Sequence, residues 1–304
     1  MTFDVNGGNT SIPQVQKEYG TFITLPTPTR TGYRFDAWYD KDGTKIGYAG
    51  TSYKVTSNIT LYAHWSELSA NEMLDNFEKS NYLSDNIDMK NTLISIGHVM
   101  IELGWKPAYI AGVLGYIQGE GRFGLLEGIW NNYETNQPYL KRAMDIYPNY
   151  KDDYANQYVY ANKDISILIK MVETLEAKRR STGTSIGFGI GCCQWSFERA
   201  LTLVYIYREI VGTNSNYISY EQTLQAESLM IIRESRTNYK TIYSNWLNRN
   251  IDNYISEKAA NDAGYHFLLE YGLSTTEASA SVNQKKNAEI RGNNAKAIYN
   301  AMLS

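Results

Sequence analysis

The chain is predicted to be α+β, a mostly α-helical protein carrying a small β-rich module at its N-terminus. Three observations support this. Tyr33-Arg34-Phe35 and Thr60-Leu61-Tyr62-Ala63-His64-Trp65 alternate apolar and polar residues with period two, the mark of half-buried strands. Beyond about residue 88 the apolar residues instead recur at helical spacing, as in Leu93, Ile96, Met100 and Leu103 at i, i+3, i+7 and i+10. After the first module there is no sustained strand pattern. The 304 residues suffice for two domains, each with its own core.

In chain order, Thr2-Phe3-Asp4-Val5 reads as a short strand and Asn6-Gly7-Gly8 as a turn, and Pro26 and Pro28 keep their segment out of a helix. This module spans residues 1–66. Residues 67–87 are polar apart from Met73, Phe77 and Leu83 and are expected to hold a short helix and a linker. Gly104 closes the first long helix, and Pro107 stands in the first turn of the next, where its missing N–H is harmless. Residues 163–180 form an amphipathic stretch with Ile167, Met171 and Leu175 on one side. Residues 201–210 are apolar almost all round, which predicts a central buried helix. Further helices are expected over 224–234, 253–271 and 285–302.

Two segments carry chemistry. In Ala111-Gly112-Val113-Leu114-Gly115-Tyr116-Ile117-Gln118-Gly119-Glu120 an apolar helical run ends in a carboxylate, followed at once by Gly121-Arg122-Phe123-Gly124. Ile110, Val113, Ile117 and Glu120 share one helical arc, so Glu120 is expected to be half dry. Desolvation disfavours the charged form of a carboxyl and keeps a proton available for a leaving oxygen. The second segment is Gly187-Phe188-Gly189-Ile190-Gly191-Cys192-Cys193-Gln194-Trp195-Ser196. Its glycines let backbone approach a ligand, and Gln194 and Trp195 set an amide beside a flat ring, a pair suited to a sugar.

Together, AGVLGYIQGEG and GIGCCQW resemble the phage tail lysozyme family of the lysozyme-like superfamily, over roughly residues 88–302. The resemblance implies a lysozyme-like domain over 88–304, with a long insertion at about 125–184. It makes Glu120 the catalytic acid and lays Gly189, Gly191, Gln194 and Trp195 along a glycan groove. The implied substrate is peptidoglycan, cut at the β-1,4 bond between N-acetylmuramic acid and N-acetylglucosamine. Where the family often has Ser after the acid, this chain has Gly121. In the N-terminal module, FDVNGG, LPTPTRTGYRFDAWYD and ITLYAHW resemble the Listeria-Bacteroides repeat, a β-grasp-like unit of bacterial surface proteins. The two resemblances imply an extracellular lysin associated with the cell wall or a virion tail, within a larger tail or surface protein. Met1 runs straight into a strand-like segment with no leader before Phe3, which points to a trimmed chain.

Glycoside cleavage usually needs two carboxylates. Only Glu120 is placed by a motif, and Glu127, Glu134 and Asp145 are candidates for the second. With one acid alone, a lytic transglycosylase route is open, in which the sugar's own hydroxyl attacks and an anhydro product results. A wall-binding module without turnover is the remaining alternative.

Other chemistries fit less well. Cys193 ahead of a helix suggests a thiol nucleophile, yet His64, His98 and His266 have no motif around them. Buried packing is the plainer use of both cysteines, and adjacent residues bridge only with a strained peptide. Three scattered histidines without HExxH or CxxC give no recognisable metal site, and no cofactor is implied. With Lys+Arg 29 against Asp+Glu 32 the formal charge is -3, which gives no electrostatic reason for binding nucleic acid or an anionic membrane. No stretch nears the roughly 20 apolar residues needed to span a bilayer. The 26 tyrosines suit carbohydrate surfaces, although half-buried packing is the commoner use of any one of them.

Overall fold

The structure is a computed structural model and describes residues 1–127, 158–161, 163–183 and 189–304. The chain folds as two compact units, Met1–Ser80 together with Asn300–Ser304, and Asn81–Tyr299.

In the first unit the strands are β1 (Thr2–Asp4), β2 (Phe22–Thr24), β3 (Tyr33–Tyr39), β4 (Lys45–Gly47), β5 (Ser52–Lys54) and β6 (Thr60–Glu67). They make a four-stranded sheet of order β1-β6-β3-β4 and a separate antiparallel pair, β2 with β5. β1 runs parallel to β6, and β3 antiparallel to both its neighbours. The period-two pattern is realised at Leu61 and Ala63, both fully buried. They close on Phe3, Leu25 and Trp38. Phe3 meets Trp38 edge-on at 5.0 Å, and the Trp38 indole N–H donates to the Pro26 carbonyl at 2.9 Å, so the ring is buried with its polar atom satisfied. The turn after β1 holds Asn6 at φ 45° and Gly7 at φ 83°, values that Asn and Gly tolerate best. Residues 67–87 contain helix α1 (Ala70–Lys79), opened by a reciprocal Ser69/Glu72 capping box and burying Met73, Leu74 and Phe77.

The second unit contains α2 (Ile87–Glu102), α3 (Pro107–Glu120), the two-residue strand β7 (Leu126–Glu127), α4 (Ile165–Thr182), the two-residue strand β8 (Gly189–Ile190), α5 (Phe197–Val211), α6 (Tyr220–Arg236), α7 (Lys240–Arg249), α8 (Glu257–Phe267) and α9 (Val282–Leu303) up to Tyr299. Asp164 caps α4 by accepting from the Ser166 and Ile167 amides, and Gly183 ends it at φ 66°. The expected helix over 253–271 is divided: a 3-10 turn at Ile251–Tyr254 precedes α8, and a π turn at Leu268–Gly272 follows it.

The central helix differs from the expectation. Residues 201–210 lie in α5, whose Tyr205 is exposed and donates to Glu173. It is α3 that is buried all round, from Ala108 to Ile117. The reason is a run of glycines at positions 112, 115 and 119. A Cβ on Gly112 would stand 2.3 Å from the Ala263 Cβ of α8, and one on Gly115 would stand 2.5 Å from the Ala295 amide of α9. Close backbone approach on that side, with Ile110, Val113 and Ile117 buried elsewhere on the helix, leaves α3 no solvent face until its last turn.

Candidate active site

Glu120 is the last residue of α3. The Gly121 amide closes the helix on the Ile117 carbonyl at 3.0 Å. The Glu120 side chain is 21% exposed, neither sealed in nor out in bulk solvent, and its Oε1 lies 2.9 Å from Nη2 of Arg291. Arg291 comes from α9, crosses over Gly119, donates to the Gly119 carbonyl at 2.8 Å and reaches Glu120 also through Nε at 3.3 Å. The half-dry environment expected of the acid thus comes with a guanidinium beside it, which the sequence reading did not anticipate.

The second glycine-rich segment meets this helix end. A Cβ at Gly121 would lie 2.8 Å from Nε2 of Gln194 and 3.0 Å from the Gly191 carbonyl. Gln194 thus occupies the space that a larger residue after the acid would need, which accounts for glycine where serine was expected. β7 pairs antiparallel with β8, Leu126 opposite Ile190 and Glu127 opposite Gly189, and the Gly191 amide donates to the Leu125 carbonyl at 2.7 Å. From α3, Tyr116 donates through its hydroxyl to the Cys193 carbonyl at 3.2 Å. The turn carries two positive φ angles, Gly191 at 78° and Gln194 at 48°. The second is uncommon for a residue with a side chain, and the Gln194 amide is held by donating to the Gly191 carbonyl at 2.9 Å.

Two carboxylates that the sequence reading did not single out support these segments from beneath. Glu227 of α6 is fully buried. It accepts from the Gly124 amide at 2.6 Å, the Cys192 amide at 2.8 Å and the Tyr207 hydroxyl at 2.6 Å. One side chain therefore fastens the chain leaving Glu120 to the turn that faces it. Burial pushes the Glu227 carboxyl up to about 7, against the pull of the hydrogen bonds from Tyr207, Cys192 and Gly124. Gly191 must be glycine for two reasons, its positive φ and a Cβ position 2.6 Å from Oε2 of Glu227. Glu234, two turns further along the same helical face, takes a two-pronged ion pair from Arg199 at 2.6 and 2.9 Å and accepts from Tyr271. Nothing in residues 224–234 beyond helical periodicity marks these acids as interior.

Trp195 corrects the expectation of a sugar-stacking ring. It is fully buried, and its indole N–H donates to Glu234 at 2.9 Å and to the Tyr271 hydroxyl at 3.1 Å. Its part is to brace the turn. Gly189 and Gly191 are buried as well, which leaves Gln194 as the partly exposed member of that set. Of the second-acid candidates, Glu127 has its backbone in β7, whereas Glu134 and Asp145 lie outside the described residues, as do Gly187, Phe188 and most of the stretch expected as an insertion. Cys192 and Cys193 are free thiols, both buried, with sulfurs 4.0 Å apart. Among the described residues no group of His, Cys, Asp and Glu is disposed to hold a metal ion.

A helix-end acid abutting a glycine-rich turn with Gln at its close is the arrangement to compare with known families. The phage tail lysozyme model matches residues 91–302. The chain belongs to the phage tail lysozyme family. Glu120, the Gly191–Gln194 turn, Glu227 and Arg291 all fall within that phage tail lysozyme match. The Listeria-Bacteroides repeat domain matches residues 1–64. Two relatives from Evansella cellulosilytica are similar over short stretches. One, named as a Gly-rich membrane protein, is 35% identical over 81 residues, 26% of this chain and 9% of its own length. The other, named as a membrane protein, is 34% identical over 67 residues, 22% of this chain and 10% of its own length. The chain thus spans a tenth or less of these relatives. Among the described residues, no helix is long and apolar enough to cross a membrane. No solved structure matches the chain.

Proposed function

We infer that the chain is a lysozyme-like peptidoglycan glycosidase that cleaves the β-1,4 bond between N-acetylmuramic acid and N-acetylglucosamine, with Glu120 as general acid. The observation that carries this reading is the contact of Gly121 with Gln194 and Gly191 at the open end of α3. It sets a partly exposed carboxyl beside the turn on which the family resemblance lays a glycan strand.

In the reaction, the Glu120 carboxyl donates its proton to the glycosidic oxygen as the C–O bond breaks. Positive charge then develops on the sugar ring, and the resulting carboxylate faces it. Water adds in a hydrolase and the sugar's own hydroxyl in a transglycosylase, and the proton released by the attacking O–H passes to a carboxylate, Glu120 itself where one acid works alone. Arg291 must give up Glu120 for the acid to carry its proton, so strand entry has to compete with that ion pair. Gln194 is the proposed hydrogen-bonding contact to the strand, while Trp195 and Glu227 hold the turn in place. A second carboxylate from Glu127, Glu134 or Asp145 remains part of the hydrolytic form of this proposal. The N-terminal repeat serves as a spacer or surface module, and the chain works outside the cell, at the wall or on a tail.

The Glu120–Arg291 pair also favours a second reading, a wall-binding module whose acid is tied up and does not turn over. Zymography on purified peptidoglycan with mass spectrometry of the released fragments separates these outcomes. Reducing ends indicate hydrolysis and anhydro ends transglycosylation, whereas sedimentation with wall and no fragments indicates binding alone. Glu120→Gln is expected to keep the fold and abolish wall clearing. Clearing at the parental rate would remove Glu120 from the mechanism.

A further inference from the structure

A pocket of about 350 Å³ opens beside the chain that leaves α3. It is lined by Asp88, Asn91, Arg122, Tyr160 and Tyr220, with the fully buried Phe123 beneath. Arg122 follows Glu120 by two residues, so their Cα atoms lie within about 7 Å of each other. The pocket therefore adjoins the segment that leaves Glu120.

The lining combines three kinds of group. Arg122 is 33% exposed, and its Nη1 donates to the Tyr158 hydroxyl at 3.0 Å and stands 3.6 Å from Asp88, itself 76% exposed. Such an open ion pair contributes little, and the other N–H groups of Arg122 make no further hydrogen bond among the described residues. A guanidinium fork in this state is matched to a carboxylate. Tyr160 lies parallel to Tyr158 at 5.1 Å and is met edge-on by Tyr220 at 5.3 Å, 86°, so the ring is held in a fixed orientation at the rim. Asn91 is exposed on the first turns of α2 and offers an amide of both polarities.

We propose that this pocket is a subsite for a carboxylate-bearing N-acetyl sugar of the wall strand. Arg122 pairs the carboxylate, Tyr160 and Tyr220 line the apolar side of the sugar with their ring edges, and Asn91 meets its acetamido group. The proposal rests on the reading of the chain as a peptidoglycan glycosidase. The carboxylate has two sources, the lactyl ether of a peptide-free muramyl unit or the stem peptide of a substituted one. Asp88 opposes an anion here, and its exposure lets it swing away.

The test uses the full chain with Glu120→Gln to suppress turnover and measures binding of three soluble oligomers by calorimetry. These are an N-acetylglucosamine oligomer without carboxylates, a peptide-free muramyl glycan and the same glycan bearing stem peptides. At least one carboxylate-bearing probe is expected to bind about ten-fold or more tighter than the neutral one, the effect of a single charge-assisted hydrogen bond. Which probe gains identifies the source. Arg122→Gln is expected to erase that preference, and Asp88→Asn to enlarge it. Equal affinities for all three probes, or a preference that survives Arg122→Gln, overturns the subsite. Should Arg122→Gln fail to fold, Tyr160→Leu takes its place, with weakened binding of all three probes expected and unchanged affinities overturning the proposal. If the parent chain clears wall while these variants bind like the parent, the subsite alone falls. If the parent neither cleaves nor binds wall glycan, the glycosidase reading falls and takes the subsite with it.

Discussion

Glu227 makes the stability of the second unit depend on pH in an unusual direction. A surface glutamate titrates near 4.5, and burial raises this one to about 7. Between those values the folded protein holds a proton that the unfolded chain has released. Unfolding free energy therefore falls as pH rises through that window and levels off above about 7. A gap of roughly 2.5 pH units corresponds to about 3 kcal/mol at 1.36 kcal/mol per unit, a large share of a typical domain's stability. Tyr207 can serve both forms, donating to the carboxylate or accepting from the carboxylic acid. The perturbation is Glu227→Gln, which cannot titrate. Its amide NH2 must face either the Cys192 N–H or the pair formed by the Gly124 N–H and the Tyr207 hydroxyl, so the variant is also less stable at every pH. The assay is urea unfolding of parent and variant at a series of pH values from 4.5 to 8, taking the difference at each pH so that other titrating groups cancel. The parent is expected to lose about 3 kcal/mol more than the variant over the window. Parallel curves would refute the assignment of a buried, proton-holding Glu227.

Other consequences follow from the same packing. Replacing Arg291 by Met removes the ion pair with Glu120 that an entering strand must displace; the wall-clearing rate at a fixed pH is expected to rise, and a rate equal to the parent's would argue against that competition. Gly115→Ala drives a methyl to 2.5 Å from the α9 backbone at Ala295, where overpacking costs typically about 1–3 kcal/mol; thermal unfolding should show a lowered midpoint, and an unchanged one would mean α9 can move away freely. Trp195→Phe deletes the indole donor to Glu234 and Tyr271, with an expected destabilisation of about 1–3 kcal/mol in denaturant melts. An unchanged denaturation midpoint would mean that the indole donor does not brace the turn.

Much of the architecture was legible in the residues because periodicity is a local property. The alternation ending in Trp65 marked β6, the spacing from Leu93 to Leu103 marked α2, and Pro107 marked the start of α3. β7 and β8 escaped because two residues cannot display a period, although their pairing joins the two motifs. The site was legible in part. Glu120 stood out by its place at the end of an apolar run and Gln194 by its glycine-rich approach, but the same signals gave Trp195 a surface role that its full burial denies.

The order of residues by itself determined where β1, β3, β6 and most of the long helices run, which two segments carry unusual chemistry, and that the chain joins a repeat module to a lysozyme-like domain. Only the tertiary structure decided what each polar side chain faces. Arg291 reaches Glu120 across 171 positions of sequence, and Glu227 and Glu234 lie in the interior on a helix whose acids look like any solvated set. Burial and charge pairing are set by neighbours brought together through packing, and a one-dimensional pattern carries the spacing of residues along the chain without the distances between them in space.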